Sequence, residues 1–247
     1  MKISFAGITD TGVLRSVNQD NYYIDPEGRF FIVADGMGGH AGGQEASQIA
    51  VSEIKQYLEE VWESDSPSAD VLSVALIRAN EAILKDQDNN PNRKDMGTTV
   101  VILSFREKPW RAHVGDSRLY RFSQGQLEQV THDHTWVAQA LLSGEIKPEF
   151  AKVHPWRHVL CQCLGRRDQQ EPDIEPVEVG VGDVFLLCSD GLTEEVSNSL
   201  IENYLHLQPQ LSLDEICRRL VDSAKEAGGS DNITIVVARI EEIDETA

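Results

Sequence analysis

Four aspartates stand where apolar runs begin or end. Asp35 and Asp190 each follow such a run and open an Asp-Gly pair, Asp35-Gly36 and Asp190-Gly191. Asp116 closely follows the run 111–114, and Asp231-Asn232 directly precedes the run 233–240. If the strands gather these residues at one edge, the ionised carboxylates repel one another and a divalent cation relieves the repulsion. An all-oxygen donor set suits a hard cation, Mg²⁺ or Mn²⁺. The missing Cys-x-x-Cys and His-Glu-x-x-His spacings also point away from zinc. The bland reading is that Asp-Gly is a common turn dipeptide and that a chain with 41 acidic residues ends some strands in acids by chance.

The segment Asp35-Gly-Met-Gly-Gly-His-Ala-Gly-Gly43 lies between a strand pattern and a helix pattern. Gly36-Met-Gly38-Gly-His-Ala41 fits the dinucleotide-binding spacing, but that fold needs a second parallel strand after the helix with an acid at its end. Here the helix runs into a polar loop and another helix, so the reading fails. A P-loop fails too, because no Gly-Lys-Ser/Thr follows. What remains is a tight backbone path, which could also bring a backbone carbonyl to a metal.

The elements that must position these residues are legible in outline. Apolar or β-branched runs at 3–8, 30–34, 98–105, 111–114, 119–122, 184–188 and 233–240 read as strands. Ile54, Leu58, Val61 and Trp62, then Leu72, Ala75, Leu76, Ala79 and Ile83, have the spacing of two amphipathic helices. A third helix carries Leu213, Ile216, Leu220, Val221 and Ala224 and stops at Gly228-Gly229. Strands cluster around short turns rather than alternating with helices, which favours an α+β fold of antiparallel sheets with helices packed outside. The stretch 135–167 has weak apolar spacing and reads as a helical excursion forming a lid.

With 41 acidic against 22 basic residues, the formal charge is −19. No basic cluster offsets it, so nucleic acid and membrane surfaces are not expected as partners. The longest apolar run, 30–34, is far short of the ~20 residues that span a bilayer. Four cysteines, none in a Cys-x-x-Cys pair, suit a reducing cytoplasm better than a disulfide scaffold. One domain spanning 1–247 is expected, with any sensor, kinase or membrane anchor on a separate protein.

Several motifs in fixed order extend the pattern. They are Thr9-Asp-Thr-Gly12 with Arg15 and Asn18-Gln-Asp20, Val33-Ala-Asp-Gly-Met-Gly-Gly39, Met96-Gly-Thr-Thr99 and His113-Val-Gly-Asp-Ser-Arg118. Thr131-His-Asp-His134, Leu187-Cys-Ser-Asp-Gly-Leu192 and Gly229-Ser-Asp-Asn232-Ile-Thr complete the set. Together they resemble the metal-dependent serine/threonine protein phosphatases of type 2C, in the compact bacterial form, over nearly the whole chain.

The resemblance implies a four-layer α/β/β/α sandwich of two antiparallel sheets, with a helix pair on each outer side. It implies two Mg²⁺ or Mn²⁺ ions in a cleft, Asp35 bridging both, the Gly36 carbonyl on one, and Asp190 and Asp231 on the other. Asp20 would hold waters of the metals, and Asp133 with Asp190 would form a weaker third site. Arg15 would grip the substrate phosphate in bidentate fashion. A hydroxide bridging the two metals would attack phosphorus directly, with no phosphoenzyme. His154, Arg157 and His158 would form a basic, aromatic-flanked lid surface for a phosphoprotein substrate, and the enzyme would act as a monomer.

One departure bears on chemistry. Eukaryotic members carry His directly after the Asp-Gly pair as the proposed general acid, whereas this chain has Met37. His40 could substitute, although a lone His in a Gly-rich loop is more often structural; a water on the third metal is the preferred donor. Asp116-Ser-Arg118 reads as a structural turn with an ion pair. Cys161 and Cys163 read as partly buried packing residues. The competing reading within the same fold is a weakly active phosphoprotein-binding or metal-sensing member. A carboxylate glycosidase, which needs an aromatic-rich sugar cleft, falls far behind at 6% aromatic residues.

Overall fold

The computed structural model describes residues 1–39, 42–151, 153–168, 171–208 and 210–243. One sheet has the order β1 (Lys2–Asp10), β11 (Ile233–Glu242), β10 (Val184–Cys188), β7 (Arg118–Ser123), β8 (Gln126–Gln129). The other runs β2 (Asp20–Ile24), β3 (Phe30–Met37), β5 (Val100–Ser104), β6 (Trp110–Val114), β9 (Asp173–Pro176), with the two-residue β4 (Gly97–Thr98) paired to the end of β3. Every pairing is antiparallel.

Side-chain alternation builds the layers. In β3, Phe31 and Val33 point between the sheets, where they join Val101, Phe185, Leu187 and Val236 in one buried cluster. Phe30, Ile32 and Ala34 point the other way, onto α1 (Gly42–Val61) and α2 (Ser68–Asn89). On the far side, Leu186, Cys188, Ile235 and Val237 pack against α6 (Asn198–His206) and α7 (Leu213–Ala227). The result is the expected α/β/β/α sandwich.

All seven expected strands are present. Three edge strands, β2, β8 and β9, and helix α6 were not read from sequence. The helix stop at Gly228-Gly229 is realised: Gly229 has φ 55° and its N–H donates to Ala224 O at 2.9 Å.

The excursion leaves the sheet after β8 and carries two short helices, α3 (Trp136–Leu142) and α4 (Pro148–Ala151). Its base is closed by backbone bonds, Trp136 N to Val159 O at 2.8 Å and Cys161 N to His134 O at 2.8 Å. The returning chain is clamped by α2. Asn80 Oδ1 accepts from Gly165 N at 2.7 Å and Arg166 N at 3.2 Å, and its Nδ2 donates to Arg166 O at 3.1 Å. Gln87 Nε2 donates to Met96 O and Gly165 O at 2.7 and 2.9 Å.

Replacing Asn80 by Ala leaves backbone groups of Gly165 and Arg166 unpaired, a loss of about 2 kcal/mol. Urea unfolding of Asn80→Ala should show a lower midpoint with an unchanged m value.

Candidate active site

The antiparallel register fixes the first pair of acids. Asp20, the first residue of β2, stands opposite Asp35 near the end of β3. At the same end of the sandwich, β10 leads through Ser189 into the one-turn helix α5 (Asp190–Thr193), the chain enters β11 through Asp231 and Asn232, and the β6–β7 turn supplies Asp116. Asp35, Asp116, Asp190 and Asp231 line one cleft of about 1050 Å³, with Asp20 buried beneath.

Neutral groups hold the acids in place. Ser189 Oγ donates to Asp20 Oδ2 at 2.7 Å and accepts from Thr234 N at 3.0 Å. Thr99 Oγ1 accepts from Asp35 N at 3.1 Å and shares a 2.7 Å bond with Ser117 Oγ. Thr99 N and Thr98 Oγ1 both donate to Asp35 O, at 2.9 and 2.8 Å.

Both Asp-Gly glycines serve close backbone approach rather than turns, since neither has a positive φ. A Cβ on Gly36 would lie 2.0 Å from Gly43 O and 2.6 Å from Gln19 O; one on Gly191 would lie 2.0 Å from Asn232 O. The turn reading of these pairs is thereby replaced: glycine lets strand β3 meet the start of α1, and the Asp190 segment meet the Asp231 segment.

Asn232 is an organiser that sequence reasoning did not single out. Its Oδ1 accepts from Gln19 N at 2.7 Å, and its Nδ2 donates to Thr11 O and Val17 O, both at 3.0 Å. These bonds seat the 11–19 loop so that Arg15 Nη2 reaches Asp231 Oδ2 at 2.8 Å. The pair is half exposed, so it contributes little stability and leaves Arg15 at the cleft edge.

The donor set fits divalent cations. Among the described residues, the buried oxygens Asp20 Oδ1 and Asp190 Oδ1 have no hydrogen-bond partner. Burial, followed by the neighbouring acids, pushes Asp35 and Asp116 well above the usual carboxylate range and raises Asp190. Burial raises Asp20 to about 7, against the lowering effect of Ser189. A site that resists its own ionisation is one a positive charge would stabilise.

The remaining expected site residues divide. Asp133 is not brought to the cleft: Arg118 holds it through Nε at 2.9 Å and Nη2 at 2.7 Å, and Gln129 Nε2 donates to it at 2.9 Å. The ion pair foreseen within Asp116-Ser-Arg118 is therefore made by Arg118 to Asp133, and Asp116 is the acid that faces Asp190. His158 lines the cleft, while Arg157 Nε lies 3.5 Å from Glu194. His154 stands outside it, stacked on Trp136 with ring centroids 4.9 Å apart. Met37, Cys161, Cys163 and Arg166 also line the cleft. His40 lies outside the described residues.

A second cluster of metal-donor types, His113, His134 and Asp173, lies within β6, β9 and the segment after β8. Arg111 Nη1 is 2.9 Å from Asp173 Oδ2 and 3.3 Å from His113 Nδ1, so a guanidinium already sits beside these donors. Burial lowers His113 to about 4, and the two imidazoles stack at 4.3 Å. This is a structural polar core.

With fold and geometry in hand, comparison with known proteins is specific. The family model described as protein phosphatase 2C matches residues 14–234. The chain is 36% identical over 246 residues to the serine/threonine protein phosphatase PstP of Mycobacterium tuberculosis, covering 98% of this chain and 46% of that one. It thus spans about half the length of that relative. It is 35% identical to the protein phosphatase PhpP of Streptococcus pneumoniae, covering 99% of each. A crystal structure of Mycobacterium tuberculosis PstP superposes with a TM-score of 0.87 at 35% identity, covering 97% of this chain and 99% of that one. The PstP catalytic domain in complex with two manganese ions gives 0.84 at 33% identity, covering 97% and 99%. The chain belongs to the protein phosphatase 2C family.

The raised carboxylates set the pH dependence of the metal-free protein. For an acid raised on folding, the unfolded chain ionises first, so stability falls as pH rises from about 4 through the folded-state pKa. His113 and His134 act in the opposite sense, but only below about 6.5, their ordinary value. Between pH 6.5 and 8 the carboxylates therefore govern the slope. Tm in chelator should fall across this window, and saturating Mn²⁺ should abolish the fall; a Tm that rises with pH in chelator contradicts the account.

Proposed function

We propose that the chain hydrolyses phosphoserine and phosphothreonine on proteins in a metal-dependent reaction. The observation that carries this reading is the convergence of Asp35, Asp116, Asp190 and Asp231 on one cleft, with orphaned oxygens on Asp20 and Asp190 and a guanidinium at the edge. A phosphomonoester dianion cannot enter such a site unless cations reverse its potential. Family membership, and the two manganese ions of the PstP structure, support the same conclusion.

Asp35, the Gly36 carbonyl, Asp190 and Asp231 would hold two Mg²⁺ or Mn²⁺ ions, and Asp116 with Asp190, rather than Asp133, a weaker third. Bound ions would supply the positive field for the phosphate and acidify a water for in-line attack on phosphorus. Arg15 orients the phosphate at the edge, its planar fork matching two oxygens at once. Ser189 holds one carboxylate oxygen of Asp20 and leaves the other without a hydrogen-bond partner. Met37 offers no proton, so the leaving alkoxide takes its proton from water in the open cleft.

The whole chain would act as one catalytic domain, as a monomer in the cytoplasm. Its four cysteines are free, and no described helix is long and apolar enough to cross a membrane. The phosphoprotein would meet the lid through His154, Arg157 and His158. The lid motif His154-Pro-Trp-Arg-His158 resembles that of the cyanobacterial phosphatase of the nitrogen-signalling protein P-II, which makes phosphorylated P-II the first substrate to try. The intact donor set favours catalysis over a purely phosphoprotein-binding or metal-sensing role.

Hydrolysis of an aryl phosphate and a phosphothreonine peptide should require Mn²⁺ or Mg²⁺ and stop in chelator. Asp35→Asn should lower kcat/KM at least about a hundredfold. Asp116→Ala should raise the Mn²⁺ concentration needed for half-maximal rate, whereas Asp133→Asn should leave that concentration unchanged and act on stability. A folded wild type that binds Mn²⁺ yet hydrolyses neither compound sinks the proposal.

A further inference from the structure

Most of the large apolar side chains exposed among the described residues fall in two segments, 13–17 and 142–159. Each reaches the catalytic cleft at one end: Val17 lines it from the Arg15 loop, and His158 and Leu160 line it from the lid, whereas Phe150 and Val153 line a separate pocket. Beyond these, Leu14 is 73% exposed on one side, and Trp156 and Val159 are exposed on the other. Scattered exposed apolar residues are ordinary, but a concentration beside a binding cleft marks an interaction surface.

The Arg15 loop holds these side chains in solvent by construction. Val13 N and Leu14 N both donate to Gly229 O, at 2.8 and 3.3 Å. Asn232 binds Thr11 O and Val17 O on either side. Gly12 has φ 77°, and a Cβ there would lie 2.1 Å from Asp231 O. With its backbone pinned at both ends and in the middle, the loop cannot turn Leu14 inward, so the apolar edge is already in place beside Arg15.

We propose that Val17, which lines the cleft together with Leu160, and the exposed Leu14 next to Arg15 form a subsite for an apolar side chain adjacent to the phosphorylated residue. The occupant is a segment of the phosphoprotein substrate, since the subsite is continuous with the cleft that takes the phosphate. The substrate class is thereby narrowed to phosphoserine or phosphothreonine flanked by aliphatic or aromatic residues. This inference rests on the phosphatase reading above.

The test measures kcat/KM of the full chain with Mn²⁺ on phosphothreonine peptides bearing Leu, Ser or Glu beside the phosphorylated residue, with an aryl phosphate as reference. The wild type should prefer the Leu peptide over both the Ser and the Glu peptide by roughly fivefold or more. Leu14→Ser, at an exposed position, should bring the Leu-to-Ser ratio close to one, and Leu14→Met should keep most of it. A wild-type ratio near one, or a ratio unchanged in Leu14→Ser, overturns the subsite. So does an equal loss on both peptides and the aryl phosphate, which would mean the residue acts on loop geometry alone. Failure of the wild type on every substrate, the aryl phosphate included, overturns the phosphatase reading and this inference with it.

Discussion

Repulsion among acids that the fold forces together is the constraint from which the rest follows. Asp20 and Asp35 are paired across one sheet, and Asp190 and Asp231 flank strands of the other, so neither sheet alone holds the set. The surrounding polar groups do not neutralise them. Ser189, Thr99 and Asn232 fix backbone and side-chain positions with uncharged hydrogen bonds, while the nearest guanidinium on Asp231 is half exposed. Charge compensation is thus left to whatever enters the cleft. Where a carboxylate is compensated within the fold, as at Asp133, Arg118 bonds both of its oxygens.

The legibility of the fold tracked burial on both faces. Strands β3, β5, β10 and β11 are covered by helices on one side and by the opposing sheet on the other, so they read as predominantly apolar runs. Strand β2, Asp20-Asn-Tyr-Tyr-Ile24, sits at an edge and starts at the site, and its polar beginning masked it. Strands β8 and β9 are four-residue edges with half-exposed sequences. Each owes its place to neighbours it finds only in the folded chain.

The site was legible to the same degree and for related reasons. Asp35, Asp190 and Asp231 announce themselves by standing at the ends of buried strands. Asp116 occupies the same kind of position, but the adjacent Arg118 suggested a local ion pair. Only the geometry across β7 and β8 reveals that Arg118 turns to Asp133 instead. Asn232 carried no signal beyond its neighbour Asp231, because its work is done through backbone groups at positions 11, 17 and 19 that are distant in sequence.

The clamp of Asn80 and Gln87 on residues 165 and 166 has a bearing on how such a protein can diverge. One end of the lid is riveted to helix α2 and its base is closed by backbone bonds, so the two short helices between these points stand apart from the hydrogen bonds that position the acids. The lid is in effect an interchangeable part on a fixed chassis. Contacts that the lid makes with a substrate can change by editing that part, while the acids below keep their places.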